Sequence, residues 1–193
     1  MKRIDVETLD IARGREIPNA LVSVTPRSCH LKGMEFGKKY YIQKKGEGDS
    51  HYLYMHKESS NRIDYRVVAS KGNMSSDGGC SNCNGYKFKI YQRQSYTNAE
   101  IRNVARGIAV GMTSSDNIVR GKHLPDDDEK WDLIDTDDCS GFHIRQKGTT
   151  DTYLHVTNDT DGGTHSGKAP GYRVKVKQFN QPSDAQIFQF VEA

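Results

Sequence analysis

The side chains with the most chemistry to offer are four cysteines, seven histidines and a polar cluster toward the carboxyl end of the chain. Cys80 and Cys83 have C-x-x-C spacing, the pattern of zinc knuckles and of thioredoxin-like redox sites. A structural zinc needs four ligands, and Cys29 and Cys139 are isolated, with no second C-x-x-C pair. The redox motif belongs at a helix start after a strand, whereas this pair sits in a Gly/Ser/Asn run. The two thiols therefore read as a loop pair or local disulfide, dispensable for the fold, and no metal is expected. The histidines show no H-E-x-x-H spacing, and G-x-S-x-G, P-loop and dinucleotide fingerprints are absent. Neither a catalytic residue nor a cofactor is expected.

What remains is a group suited to hydrogen bonding. His155 closes a Tyr-Leu-His run, Asn158, Asp159 and Asp161 follow it, and Tyr172 begins the next extended stretch. Carboxylate, amide and ring groups on a shallow surface suit a carbohydrate, although Asn-Asp-Gly clusters also make turns. Asn180 and Gln186, in the closing segment of the chain, complete the candidate set.

The elements that must carry these residues come from an internal repeat. Tyr40 to Met55 (Y-Y-I-Q-K-K-G-E-G-D-S-H-Y-L-Y-M) is a version of Phe142 to Val156 (F-H-I-R-Q-K-G-T-T-D-T-Y-L-H-V). Tyr65-Arg66-Val67 follows the first copy as Tyr172-Arg173-Val174 follows the second. The alternation of Tyr86 to Ile90 matches that of Gln186 to Phe190. Each unit reads as four short strands, and the spacing leaves room for a degenerate third unit from about Tyr96 to Ile134. In it Ile108-Ala109-Val110 and Asn117-Ile118-Val119 supply the middle strands, and Trp131 and Leu133 the closing pair. Phe88, Trp131 and Phe188 are then equivalent and belong in the core, as do Tyr52, Leu53, Tyr153 and Leu154. Three such units predict an all-β fold, a β-trefoil of three four-stranded repeats over residues 36–193. Residues 1–35 lie outside the repeat, as an N-terminal arm packed on the barrel or partly disordered at its end, and Ser70 to Gly85 form an exposed insertion loop.

Composition fits a single domain of 193 residues, polar for a globular protein at a mean hydropathy of -0.80. Twenty-eight basic side chains against 25 acidic ones argue against nucleic acid as main partner. Gly37-Lys38-Lys39 and Lys44-Lys45 read as an ordinary solvated face. The run Asp126 to Glu129 lacks the ligand spacing of an EF-hand and reads as a loop. No apolar run approaches the ~18 residues of a membrane span, so no membrane insertion is expected. The charged start, Met1-Lys2-Arg3, predicts a cytoplasmic protein or one secreted by a non-classical route.

The closing segment Val174 to Phe190 resembles the final strands of a ricin-B-type lectin lobe, which end in Q-x-W or Q-x-F; Gln186 and Phe188 match that pair. The resemblance implies that Gln186 braces a loop and Phe188 fills the barrel. Its equivalents are Tyr86 in the first unit and Glu129 in the second. Galactose-binding lobes of that family place an Asp, an aromatic platform and an Asn where this chain has His155, Lys177 and Ala185. The first unit has Tyr54 and Ser70 in the first two of these places. The resemblance thus implies a non-enzymatic, glycan-binding or glycoprotein-binding protein with an atypical sugar site. Two alternatives stay open. Gly37 to Ile42 resembles the first strand of Kunitz-type trefoil inhibitors, which implies a protease as partner, and actin-binding trefoils offer the precedent of an interaction scaffold.

Overall fold

The computed structural model describes residues 31, 34–46, 51–57, 65–71, 83–92, 98–112, 116–122, 130–160, 171–181 and 185–193. Apart from a short 3-10 helix at Cys83–Tyr86, the regular elements there are strands. They are β1 (Lys39–Lys44), β2 (His51–Lys57), β3 (Tyr65–Lys71), β4 (Lys87–Gln92), β5 (Ala99–Asn103) and β6 (Ala109–Met112). They continue with β7 (Val119–Lys122), β8 (Lys130–Asp135), β9 (Phe142–Gln146), β10 (Thr152–Thr160), β11 (Tyr172–Gln178) and β12 (Phe188–Glu192).

All the pairings are antiparallel, and they recur with a fixed pattern. In each successive quartet the first strand pairs with the second, the second with the third and the first with the fourth. Consecutive quartets join through β4 and β5 and through β8 and β9, and β12 returns to β1. That return pairs Tyr40 with Glu192 and Lys44 with Phe188, so the first and last strands of the chain lie side by side within the sheet. The third strands of the quartets also meet, β3 with both β7 and β11, while Ile118 bridges to Lys175.

Period-two alternation builds the interior. Ile42, Leu53, Met55, Phe88, Ile90, Leu154, Val156, Val174 and Val176 point into one hydrophobic cluster, while Tyr41, Gln43, His155 and Lys175 stay partly exposed. Phe88, Trp131 and Phe188 are all fully buried members of that cluster. The Trp131 indole is satisfied there, its Nε1 donating to the Val110 carbonyl at 2.8 Å. Phe142 stacks on Phe190 with ring centroids 4.1 Å apart. The backbone of β12 approaches so closely that a Cβ on Gly141 would lie 2.5 Å from the Phe188 carbonyl oxygen.

Several expectations need adjustment. Leu53, Tyr153 and Leu154 are core residues, but Tyr52 is half-buried, with its ring edge-on to Tyr41 at 6.2 Å. Asn117 lies before β7, whose pairing with β6 begins at Val119. Ser70 belongs to β3 rather than to a loop, because its pairing with Tyr52 extends the β2/β3 hairpin. From the segment before residue 36, Leu31 and Met34 are buried in the main core, and the Leu31 N–H donates to Asp135 Oδ1 at 3.2 Å. Cys139, which has no neighbouring cysteine in sequence, is disulfide-bonded. Cys80, the run 126–129 and most of the insertion lie outside the described residues; Cys83 opens the 3-10 helix.

Candidate functional site

The β10/β11 hairpin positions the candidate side chains. Direct pairing of Tyr153 with Lys177 and of His155 with Lys175 puts these four on one face, opposite the inward Leu154, Val156, Val174 and Val176. The face continues past the strand end, where the Phe179 N–H donates to the Asp151 carbonyl at 2.9 Å. The Phe179 ring lies 5.6 Å from that of His155 and 6.3 Å from that of Tyr153, with the Lys177 ammonium 5.1 Å from its centroid. An aromatic corner results, with a cation at its rim.

Gln186 holds this corner from behind. Its Nε2 donates to the Val156 carbonyl and its Oε1 accepts from the Val156 N–H, both at 2.8 Å. One side-chain amide thereby serves both backbone groups of the residue next to His155. The Gln186 carbonyl in turn accepts from His143 Nδ1 at 3.0 Å. This is the brace that the Q-x-F resemblance implies, and it fixes the strand end that carries His155.

Burial holds the His155 imidazole below its ordinary pKa, with the nearby Lys177 and Lys44 charges acting in the same direction. Its buried Nδ1 has no hydrogen-bond partner among the described residues. Near neutral pH the ring is therefore mostly uncharged. Because the folded-state value is depressed, the neutral ring's contribution to stability is present above the unfolded value of about 6.5. It is lost as pH falls through the folded value. An NMR titration of His155 should give a midpoint below that of a free imidazole; a midpoint at or above it would contradict the assignment.

The other candidates do not converge on this corner. Asn158 and Asp159 lie inside β10, where the register with β11 shifts between Val156 and Thr160. They are exposed at the irregularity, and the Asp159 N–H donates to Thr157 Oγ1 at 3.1 Å, so their described contacts are turn-like. Tyr172 pairs with Ala69 and Thr160, and its ring meets His51 at 5.0 Å, which places it at the opposite end of the hairpin from Phe179. Asn180 is exposed beside Phe179, and Asp161 lies outside the described residues. Among the described residues no group of three His, Cys, Asp or Glu side chains is placed to hold a metal ion.

Phe179 is the residue that sequence reasoning missed. The aromatic place after the third strand was assigned to Lys177, but carrying the period-two pattern from Lys175 through Lys177 leads to Phe179. In the first quartet the equivalent corner is filled instead. Tyr54 and Tyr86, which stand where His155 and Gln186 do, pack with ring centroids 4.4 Å apart. The Tyr86 hydroxyl lies 3.4 Å from Ser70 Oγ, and Gly85 is pressed against Tyr54, leaving no room for a Cβ.

No protein-family model and no curated protein matches the chain. Solved structures do match. A mosquitocidal holotoxin aligns with 83% of this chain at 13% identity and a TM-score of 0.61. The Polyporus squamosus lectin, bound to a human-type influenza-binding epitope, aligns with 83% at 19% identity and a TM-score of 0.56. The Macrolepiota procera ricin B-like lectin, in complex with lactose, aligns with 83% at 11% identity and a TM-score of 0.56. The chain spans 18% of the toxin and 50% of the Polyporus lectin, but 99% of the Macrolepiota lectin. These likenesses show the fold, a β-trefoil like that of the ricin B-like lectin.

Proposed function

We propose that the protein is a non-enzymatic carbohydrate-binding β-trefoil, its twelve strands forming three four-stranded units and its sugar site lying in the third. The observation that carries this reading is the braced aromatic corner. Gln186 fixes the strand end, Phe179 gives a face for the C–H groups of a pyranose, and neutral His155 hydrogen-bonds a hydroxyl. Asn180 is the nearest exposed amide in sequence, while Asn158, Asp159 and Tyr172 lie outside the contact zone. The first unit does not offer the same corner, because the Tyr54/Tyr86 pair occupies it.

A glycan array followed by calorimetry tests the reading. A shallow single site binds in the millimolar to micromolar range, about 4 to 8 kcal/mol. The His155→Ala/Phe179→Ala double variant should bind at least about tenfold more weakly, a loss of ~1.4 kcal/mol, with an unchanged far-UV spectrum. Full retention of binding by the double variant would move the site elsewhere. Stoichiometric inhibition of a serine or cysteine protease, with no glycan bound, would replace the lectin reading with the inhibitor one.

A further inference from the structure

The outer face of β1, β4 and β5 carries a row of cations. Lys39 stands directly opposite Lys89 in the β1/β4 pair, and Lys89 stands directly opposite Arg102 in the β4/β5 pair. Like charges placed directly opposite weaken a sheet. Among the described residues no carboxylate forms an ion pair with Lys39 or Lys89. Glu100, whose side chain is almost fully buried, pairs with Arg102.

These residues border a cavity of about 370 Å³, within the size range of small-molecule sites, together with Tyr91 and Asn103. Tyr91 is 40% exposed, one of two large hydrophobic side chains so exposed among the described residues, and the Arg102 guanidinium lies 5.8 Å from its ring centroid. Asn103 is buried. Its Nδ2 donates to the carbonyls of Asn84, Gly85 and Lys87 at 3.4, 2.8 and 3.2 Å, which spends the donor side of the amide. Its Oδ1 is left without a partner. Asn103 pairs with inward Phe88, so this acceptor faces away from the Lys89 and Arg102 side chains, and the residue serves to brace the edge of the cleft.

The cation row and the exposed ring select one ligand chemistry. The cation row calls for an anionic group, and the Tyr91 ring for the flat apolar face of a sugar. A free phosphate or sulfate answers the first alone. We propose that this cleft is a second binding site, one that takes an acidic saccharide carrying sulfate or carboxylate groups. It shares no residue with the His155 corner, so either site can fail without the other. The repulsion along Lys39, Lys89 and Arg102 is stability given up for ligand charge, as binding sites commonly do.

The probe is a heparin-derived tetrasaccharide, titrated into the full chain by calorimetry, with a desulfated, carboxyl-reduced tetrasaccharide as neutral control. The acidic sugar should bind at least tenfold more tightly than the control and weaken steeply as salt rises. Lys89→Glu should abolish that binding while leaving the thermal midpoint no lower than wild type. His155→Ala should leave it untouched. Backbone amide shifts on titration should centre on Lys89, Tyr91 and Asn103, a readout that stands even if the variant folds poorly. Equal binding of the neutral sugar, undiminished binding by Lys89→Glu, or shifts mapping elsewhere would overturn the proposal. So would tighter binding of a single-stranded oligonucleotide of matched charge at the same residues.

Discussion

Phe188→Ala is expected to lower the free energy of unfolding by about 3–5 kcal/mol, the usual consequence of removing a fully buried aromatic ring. Phe188 has no exposed surface, pairs with Phe142 across the β9/β12 junction and with Lys44 across the β1/β12 junction, and sits 6.5 Å from the Phe142 ring. Its truncation therefore opens a void where the last strand closes on both the first strand and the ninth. The close approach of Gly141 to the Phe188 carbonyl leaves little freedom for the backbone to collapse into that void, which favours the upper part of the range. Urea unfolding followed by the fluorescence of Trp131, the chain's single tryptophan, is the direct measurement. A loss below about 1 kcal/mol would show that the ring is not part of the closed core.

Gln186→Ala is expected to cost about 2–4 kcal/mol and to weaken glycan binding at the His155 corner. The substitution strands both the N–H and the carbonyl of Val156, a residue only 3% exposed, and each stranded group costs about 1–3 kcal/mol. It also frees the backbone next to His155, so the effect on binding arises through position rather than through a lost contact with sugar. Denaturant unfolding and glycan titration on the same preparation separate the two consequences. A variant that binds glycan as wild type while losing stability would leave Gln186 a purely structural residue. One that loses neither would remove the brace from the account.

Much of the architecture was legible because the repeat copies strand patterns rather than isolated residues. The match of Tyr40–Met55 to Phe142–Val156 located β1, β2, β9 and β10, and equivalence between the copies placed Leu53, Leu154, Phe88 and Phe188 inside. In the weakly matching middle stretch Trp131 and Leu133 were read from their apolar spacing, and both are buried in the core. Boundaries were less legible. Ser70 reads as loop by composition but is held in β3 by pairing with Tyr52, and Asn158 and Asp159 read as a turn after a strand yet lie within β10.

The sequence by itself determined what depends on local chemistry: the strand periodicity, the inward aromatic residues and the glutamine two residues before Phe188. The tertiary structure decided what depends on which strands become neighbours. It gave Gln186 its partner thirty residues away at Val156, set Phe179 rather than Lys177 beside His155, and sent Tyr172 to meet His51. It also turned Lys39, Lys89 and Arg102 from three scattered surface charges into one row. Each of these outcomes follows from pairing register, and register is fixed by closure of the whole barrel, which no single segment encodes.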